Sequence, residues 1–403
     1  MKTSSEDAIA YNVVPFAWPK GYQSDGIHAG LREGKDMGWI YSEVPAQAAG
    51  TYTTNQFQAA PTKLTKQTIN IKHELQAVVM NSANANSVTG DQGMIDAKKV
   101  QQLVANKLNI EQQLVGVAST GIIGVPLPMD IMEHGISELE LKDNTDVTKA
   151  ILTTDKHAKT VSVQLTVENK PVTISGFCKG SGMIHPKMAT MLGFVVTDAK
   201  ISDGLLQPML SHEVDSTFNQ ITVDGDTSTN DMVVTLANGA AGNTEITEQS
   251  ADYPAFVSAF NKVLSELAKD IAKDGEGSTK LVEVNVKNAA NHDDAQKVSK
   301  AIVGSNLVKA AIFGEDANWG RIIAAIGQTN AKVDINHTSV WLNGLALVDN
   351  SASANFDEAE MKKTLESNTI TILVDLNSGT ATGQAWGCDL TYNYVRINAS
   401  YRS

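Results

Sequence analysis

A layered fold of mixed strands and helices, α/β or α+β, is predicted by three features of this 403-residue chain. Segments with apolar–polar alternation and segments with helical spacing follow one another from end to end, without a strict strand–helix–strand rhythm. The length suffices for two or three compact units with substantial cores. The composition, 42% apolar and 19% charged, is that of a globular chain rather than a disordered one.

The elements follow in order. LQAVVMN (residues 75–81) reads as a short buried strand, followed by the polar run SANANSVTGDQG. Residues 94–109 read as a helix with Ile95, Val100, Leu103, Val104 and Leu108 near one face. LVGVAST is a strand ending in Ser119-Thr120-Gly121. KTVSVQLTVENKPVTISGF alternates on both sides of Glu168-Asn169-Lys170, which predicts a hairpin. Farther on, Phe256, Phe260, Val263, Leu264, Leu267 and Ile271 recur at helical spacing, and Gly275 stops that helix. KLVEVNV is a strand, residues 293–314 read as one helix, SVWLNGLALVD is a hairpin around Asn343-Gly344, and NTITILVDLN is a strand. No internal repeat or low-complexity linker appears. The nearest thing to a boundary is KGSGMIHPKMATMLGF, residues 179–194.

Charge and cysteine content narrow the class. A net charge of −13 argues against nucleic acid as the main partner, because phosphate binding needs a basic face. Two cysteines, Cys178 and Cys388, make no disulfide framework, so a reducing compartment is expected. The N-terminal residues carry acids and no apolar core of a signal peptide, and no apolar run reaches the ~18 residues of a membrane span. A soluble cytoplasmic protein with no membrane partner is the expectation.

The familiar chemical motifs fail at residues 179–194. A phosphate loop needs its Lys after the last Gly, whereas Lys179 precedes Gly180 and Gly182, and no third Gly completes a dinucleotide fingerprint. Eight scattered histidines form no metal motif, so no metal or cofactor is expected, and His185 reads as a loop residue. DGDTSTND (residues 224–231) lacks the Gly and closing Glu of a calcium loop and reads as a polar turn. No GxSxG elbow is present. The Ala189-Thr190 step leaves two readings. In one, Thr190 caps or packs in a helix MATMLGFVV, which the residues alone favour, since an internal Thr is usually structural. In the other, the chain cuts itself before Thr190, and the freed α-amine becomes the base for the Thr190 hydroxyl. An α-amine has an ordinary pKa of about 8, low enough to accept a proton near neutrality.

The stretch KGSGMIHPKMATMLGF resembles the cleavage and nucleophile motif of the ornithine acetyltransferase family of arginine biosynthesis. Seven further blocks match the family in order: residues 26–61, VVMNSANANSVTGDQG, GVASTGIIG, VDGDTSTND, DGEGSTKLVEV, GEDANWGRI and AWGCDLTYNYVRINASY. The resemblance covers essentially the whole chain. It implies a two-domain fold of the self-cleaving, N-terminal-nucleophile-like type. It implies autocleavage into fragments 1–189 and 190–403, which assemble as a heterotetramer of two of each.

The same resemblance assigns residues. Cleavage falls between Ala189 and Thr190, and Thr190 is the nucleophile. Thr120 and Gly121 form the oxyanion hole, one hydroxyl and one N–H aimed at a developing negative oxygen. Thr153, Lys179, Thr190, Glu276, Asn398 and Ser403 bind substrate. The implied activity is ping-pong transfer of acetyl from N2-acetylornithine to glutamate through acetyl-Thr190, with acetyl-CoA left open as a second donor. Two departures from the family pattern stand out: Ser403 where the family often ends in Thr, and HPKM before Ala189 where Pro-Asn-Met is common. A related self-cleaving Thr-nucleophile aminopeptidase or amidase, passing the acyl group to water, is the alternative. A non-catalytic relative keeping only the fold is a third reading.

Overall fold

The structure, a computed structural model, describes residues 11–185 and 191–400. The described residues form one sheet of nine strands and one of six, both mixed, with helices packed on them. This is the layered mixture that the sequence predicts.

In chain order, β1 (Tyr11–Val14), β2 (Tyr22–Ile27) and β3 (Met37–Tyr52) lead to α1 (Ala60–Lys72), β4 (Glu74–Asn81), α2 (Gly90–Leu108) and β5 (Val115–Ser119). Then come α3 (Met129–Glu138), the single-turn α4 (Val147–Ala150) and the hairpin of β6 (Lys159–Val167) and β7 (Lys170–Lys179). The predicted turn lies where expected, with Glu168 and Asn169 at φ 44° and 67°. Two successive positive φ values match the right-handed twist of the flanking strands. From Met191 the chain forms β8 (Leu192–Thr197), α5 (Leu206–Ser216), β9 (Met232–Ala237) and α6 (Tyr253–Lys273). The large sheet runs β1-β6-β7-β8-β9-β3-β4-β5, and β2 also pairs with β3.

The helix reading of residues 188–196 does not survive in its described part. Leu192–Thr197 is a strand, antiparallel to β7 and parallel to β9. Its side chains enter two cores. Val195 joins one with α5 and α6, whereas Leu192, Phe194 and Val196 join another with β3 and β4. A strand buried on both faces shows no alternation, so its apolar run is indistinguishable from a core helix. In α2 the core face is Ala97, Val100, Val104 and Ala105, while Ile95 is 58% exposed. All six apolar residues predicted along α6 are buried in one core, and the helix ends before Gly275 as predicted.

The second half contributes β10 (Leu281–Ala289), α7 (His292–Gly304), α8 (Asn306–Phe313), α9 (Trp319–Gly327), β11 (Ser339–Leu342) and β12 (Leu345–Asp349). After them come β13 (Ala352–Ser353), α10 (Glu358–Leu365), β14 (Thr369–Asp375), β15 (Ala381–Cys388) and α11 (Tyr392–Ser400). The small sheet runs β13-β12-β11-β14-β10-β15. Its core is separate, but Leu281, Trp386 and Cys388 pack into the core around α6 and so join the two sheets. Both cysteines are free and buried. Burial pushes the Cys388 thiol up to about 11 and that of Cys178 well above its usual range, so neither is a ready nucleophile. Among the described residues no helix is long and apolar enough to cross a membrane.

The single helix predicted over 293–314 is two helices. Ser305 is extended, with ψ 115°, and its side chain accepts from the Val308 N–H, ending one helix and capping the next. Ser305→Ala should lower stability by about 1 kcal/mol in a denaturant titration, and Ser305→Asp should restore it.

Candidate active site

The site begins with strand ends. The C-terminal ends of β5 and β7 and the N-terminal ends of β8 and β9 meet around a cavity of about 160 Å³. Thr120, Gly121, Thr153, Lys179, Glu276 and Asn398 all line it. These are the six predicted site residues that the structure describes, and it brings all six together. Ala189, Thr190 and Ser403 lie outside the described residues. Met191 and Leu192, which follow Thr190 in sequence, are in the wall.

Thr120 and Gly121 follow β5 directly. The Thr120 N–H donates to the Asn81 carbonyl at 3.0 Å, and the Ile122 N–H to the Ala83 carbonyl at 3.1 Å, which fixes the turn between them. Gly121 has φ 134°, and a Cβ there would lie 2.2 Å from the Ala83 carbonyl carbon. No other residue fits. Among the described residues neither the Thr120 hydroxyl nor the Gly121 N–H has a hydrogen-bond partner, so both donors are unspent at the cavity wall.

Lys179 ends β7 and is 8% exposed. Among the described residues its ammonium forms no ion pair or hydrogen bond. A buried cation without a direct partner suits an anionic ligand, because the ligand supplies the missing counter-charge. Glu276 is held differently. Thr154 Oγ1 donates to its Oε1 at 2.7 Å, and Asn398 Nδ2, on α11, donates to its Oε2 at 2.8 Å. The Glu276 N–H donates to the Ser181 carbonyl at 2.8 Å. Gly182 allows this approach, since a Cβ there would sit 2.3 Å from the Glu276 carboxyl carbon. The glycines of KGSGM therefore admit a carboxylate and a tight turn rather than a phosphate.

Under this wall lies a buried ion triad. Lys159 Nζ is 2.7 Å from Asp155 Oδ1 and 2.6 Å from Asp274 Oδ2, and all three side chains are at most 1% exposed. Asp155 also accepts from the Gly180 N–H at 2.7 Å and the Thr153 N–H at 3.0 Å. One carboxylate thus positions both the Thr153 and the Lys179 sides of the cavity. Burial opposes its ionisation, but the charges of Lys179 and Lys159 outweigh burial and lower it from an ordinary 3.8 to about 2.

Sequence reasoning missed Thr154, Asp155, Ser228, Asn230 and Asp231. The last three belong to the run read as a polar turn, yet they line the cavity. Asn230 and Asp231 are buried there. The Asn230 amide donates to the Ala85 and Ser119 carbonyls at 2.6 and 2.8 Å, tying this loop to the end of β5. The density of Asp, Asn, Ser and Thr in DGDTSTND was the available signal. His185 is a loop residue as read, its Nδ1 3.0 Å from Thr222 Oγ1.

Asp155→Asn should destabilise the fold by about 1.5–3 kcal/mol, because it removes one of the two charge-assisted bonds to the buried Lys159 ammonium and leaves only that to Asp274. Asp155 is a stronger acid in the fold than in the unfolded chain. Its contribution is therefore complete above about pH 4 and is lost as pH falls through about 2. Urea titrations at pH 7 and pH 3 should show a smaller gap between variant and parent at the lower pH.

The ArgJ family model matches residues 23–403. An arginine biosynthesis bifunctional protein from Lactiplantibacillus plantarum is 60% identical over 98% of both chains. One from Oceanobacillus iheyensis is 53% identical over 96% of this chain and 95% of its own. A crystal structure of such a protein from Bacillus halodurans is 50% identical with a TM-score of 0.51, covering 98% of that chain and 52% of this one. With a family match from residue 23 to the last residue and relatives this similar end to end, the chain belongs to the ArgJ family of arginine-biosynthesis enzymes.

Proposed function

We propose that this chain transfers acetyl from N2-acetylornithine to glutamate through an acetyl-Thr190 intermediate, ornithine leaving before glutamate enters. One observation carries the reading. Residues spread from Thr120 to Asn398 converge on a single cavity whose wall includes Met191, the neighbour of Thr190. In the first half-reaction the Thr190 hydroxyl attacks the acetyl carbonyl. The Thr120 hydroxyl and Gly121 N–H, both without other partners among the described residues, stabilise the oxyanion. The Thr190–acetyl ester forms, the amide C–N bond breaks, and the proton from the hydroxyl passes by way of the α-amine to the departing ornithine amine. In the second, the amine of glutamate attacks the ester and Thr190 recovers its proton. Lys179 takes a substrate carboxylate, and Glu276 a substrate cation. Thr153, Asn398 and Ser403 complete the binding surface. The relatives are named bifunctional, and acetyl-CoA is the second donor that the same nucleophile would accept.

The fragments of this reading are 1–189 and 190–403. They would stay together after the cut, because β8 and β9 lie between β7 and β3 in one sheet. The Bacillus halodurans chain, matched over 98% of itself yet 52% of this one, has the proportion of such a half-length fragment. A heterotetramer of two of each fragment in the cytoplasm completes the proposal, the two free cysteines suiting a reducing compartment.

Denaturing electrophoresis with N-terminal sequencing tests it. The purified protein should show two bands, the smaller-numbered fragment ending at Ala189 and the other starting at Thr190. Thr190→Ala should remain one chain and transfer no acetyl, whereas Thr190→Ser should keep part of both activities. An uncut protein with full activity would overturn the mechanism.

A further inference from the structure

Asp231 is an ionisable cavity residue that the acetyl-transfer reading leaves without a task. It stands at the start of β9, lines the cavity with Lys179 and Thr120, and is 3% exposed. Its carboxyl oxygen Oδ2 is buried with no hydrogen-bond partner among the described residues. Its position is rigid. Its carbonyl accepts from the Thr53 N–H at 3.0 Å, and the preceding Asn230 is anchored to the Ala85 and Ser119 carbonyls. An unsatisfied buried carboxyl oxygen costs stability unless something else requires it.

We propose that Asp231 is a specificity-determining residue of this cavity, its carboxyl, held by Ser228 through one oxygen, combining through the other with the Lys179 ammonium to select ligands that carry an α-carboxylate. This rests on the acetyl-transfer reading and deepens it. The chemistry needs Asp231 to hold its proton. A neutral carboxyl donates to an incoming carboxylate and leaves Lys179 free for the same anion. An ionised one would repel that anion and compete for Lys179. Burial holds the Asp231 carboxyl well above the usual carboxylate range, against the opposing pull of Ser228 and the Lys179 charge. Lys179, at the end of β7, is the charged group that acts on it, and Ser228 is the polar neighbour on its own loop. Glu276, the cavity's other carboxylate, is occupied by Thr154 and Asn398.

The test compares two ligands that differ only by the carboxylate, L-ornithine and 1,4-diaminobutane, by calorimetric titration of the mature protein. The wild type should prefer ornithine. Asp231→Ala should weaken ornithine binding about ten- to a hundredfold and leave diaminobutane unchanged. Asp231→Asn keeps the shape and an N–H donor, so it should retain most of the preference. As pH rises through the raised Asp231 value, the wild-type preference should decline beyond the loss seen in Asp231→Asn, which keeps Lys179 but has no proton to lose at this position. A wild type that binds neither ligand overturns the ornithine reading and this contact with it. A wild type that binds ornithine, with a preference that neither substitution nor pH changes, overturns the Asp231 contact alone.

Discussion

The geometry of the site depends on one buried ammonium. Lys159 lies between Asp155 and Asp274, with no solvent to share the charge. Three charges without water are tolerable only if each is bonded, and each is through at least one atom, while Asp274 Oδ1 has only His157 Nδ1 at 3.8 Å beside it. Asp155 spends its remaining capacity on the N–H groups of Thr153 and Gly180, and Asp274 accepts from the Lys156 N–H at 3.0 Å. The triad therefore fixes the turn after β7, the loop carrying Thr153 and Thr154, and the end of α6 relative to one another. From that junction Glu276 reaches back toward Thr154, and Lys179 is left facing the cavity without a hydrogen-bond or ion-pair partner among the described residues.

The triad also joins chain segments on both sides of residue 190, and it is not the sole such tie. The loop before β9 is bound to the segment after β3. Thr53 Oγ1 donates to the Ser228 carbonyl at 2.7 Å, Asn55 Nδ2 to the Thr227 carbonyl at 2.9 Å, and Thr62 Oγ1 to the Asn230 carbonyl at 3.1 Å. The Ala59 N–H donates to the Thr229 carbonyl at 2.9 Å. The polar residues of TYTTNQFQAAP thus have a physical task, which is to hold Asn230 and Asp231 at the cavity. A cut before Thr190 would sever none of these bonds, nor the register of β7 with β8 and β9 with β3.

Much of the architecture was legible from period and turn chemistry. The α6 face, the hairpin at Glu168-Asn169 and the strand leading to Thr120 stand where residue pattern places them. Two failures have one cause each. β8 is apolar on both faces, so periodicity could not separate it from a helix. The break at Ser305 rests on one capping hydroxyl inside a continuous helical pattern. The site was legible through resemblance rather than spacing, because its residues lie up to 278 positions apart, from Thr120 to Asn398. Asp155 and Asp231 escaped because their significance is burial. An Asp in TTDKHAK or STND looks like any solvated turn until the surrounding chain closes over it.

The central claim is that acetyl rests on Thr190 between two substrates, and trapping that intermediate tests it most directly. The protein is mixed with N2-acetylornithine in the absence of glutamate, quenched in acid and mapped by mass spectrometry. The account predicts one acetyl group on the peptide beginning at Thr190, carried as a hydroxylamine-sensitive ester and discharged as N-acetylglutamate when glutamate is added. An enzyme that turns over with no acetyl on that peptide, or with its acetyl on another residue, would contradict it.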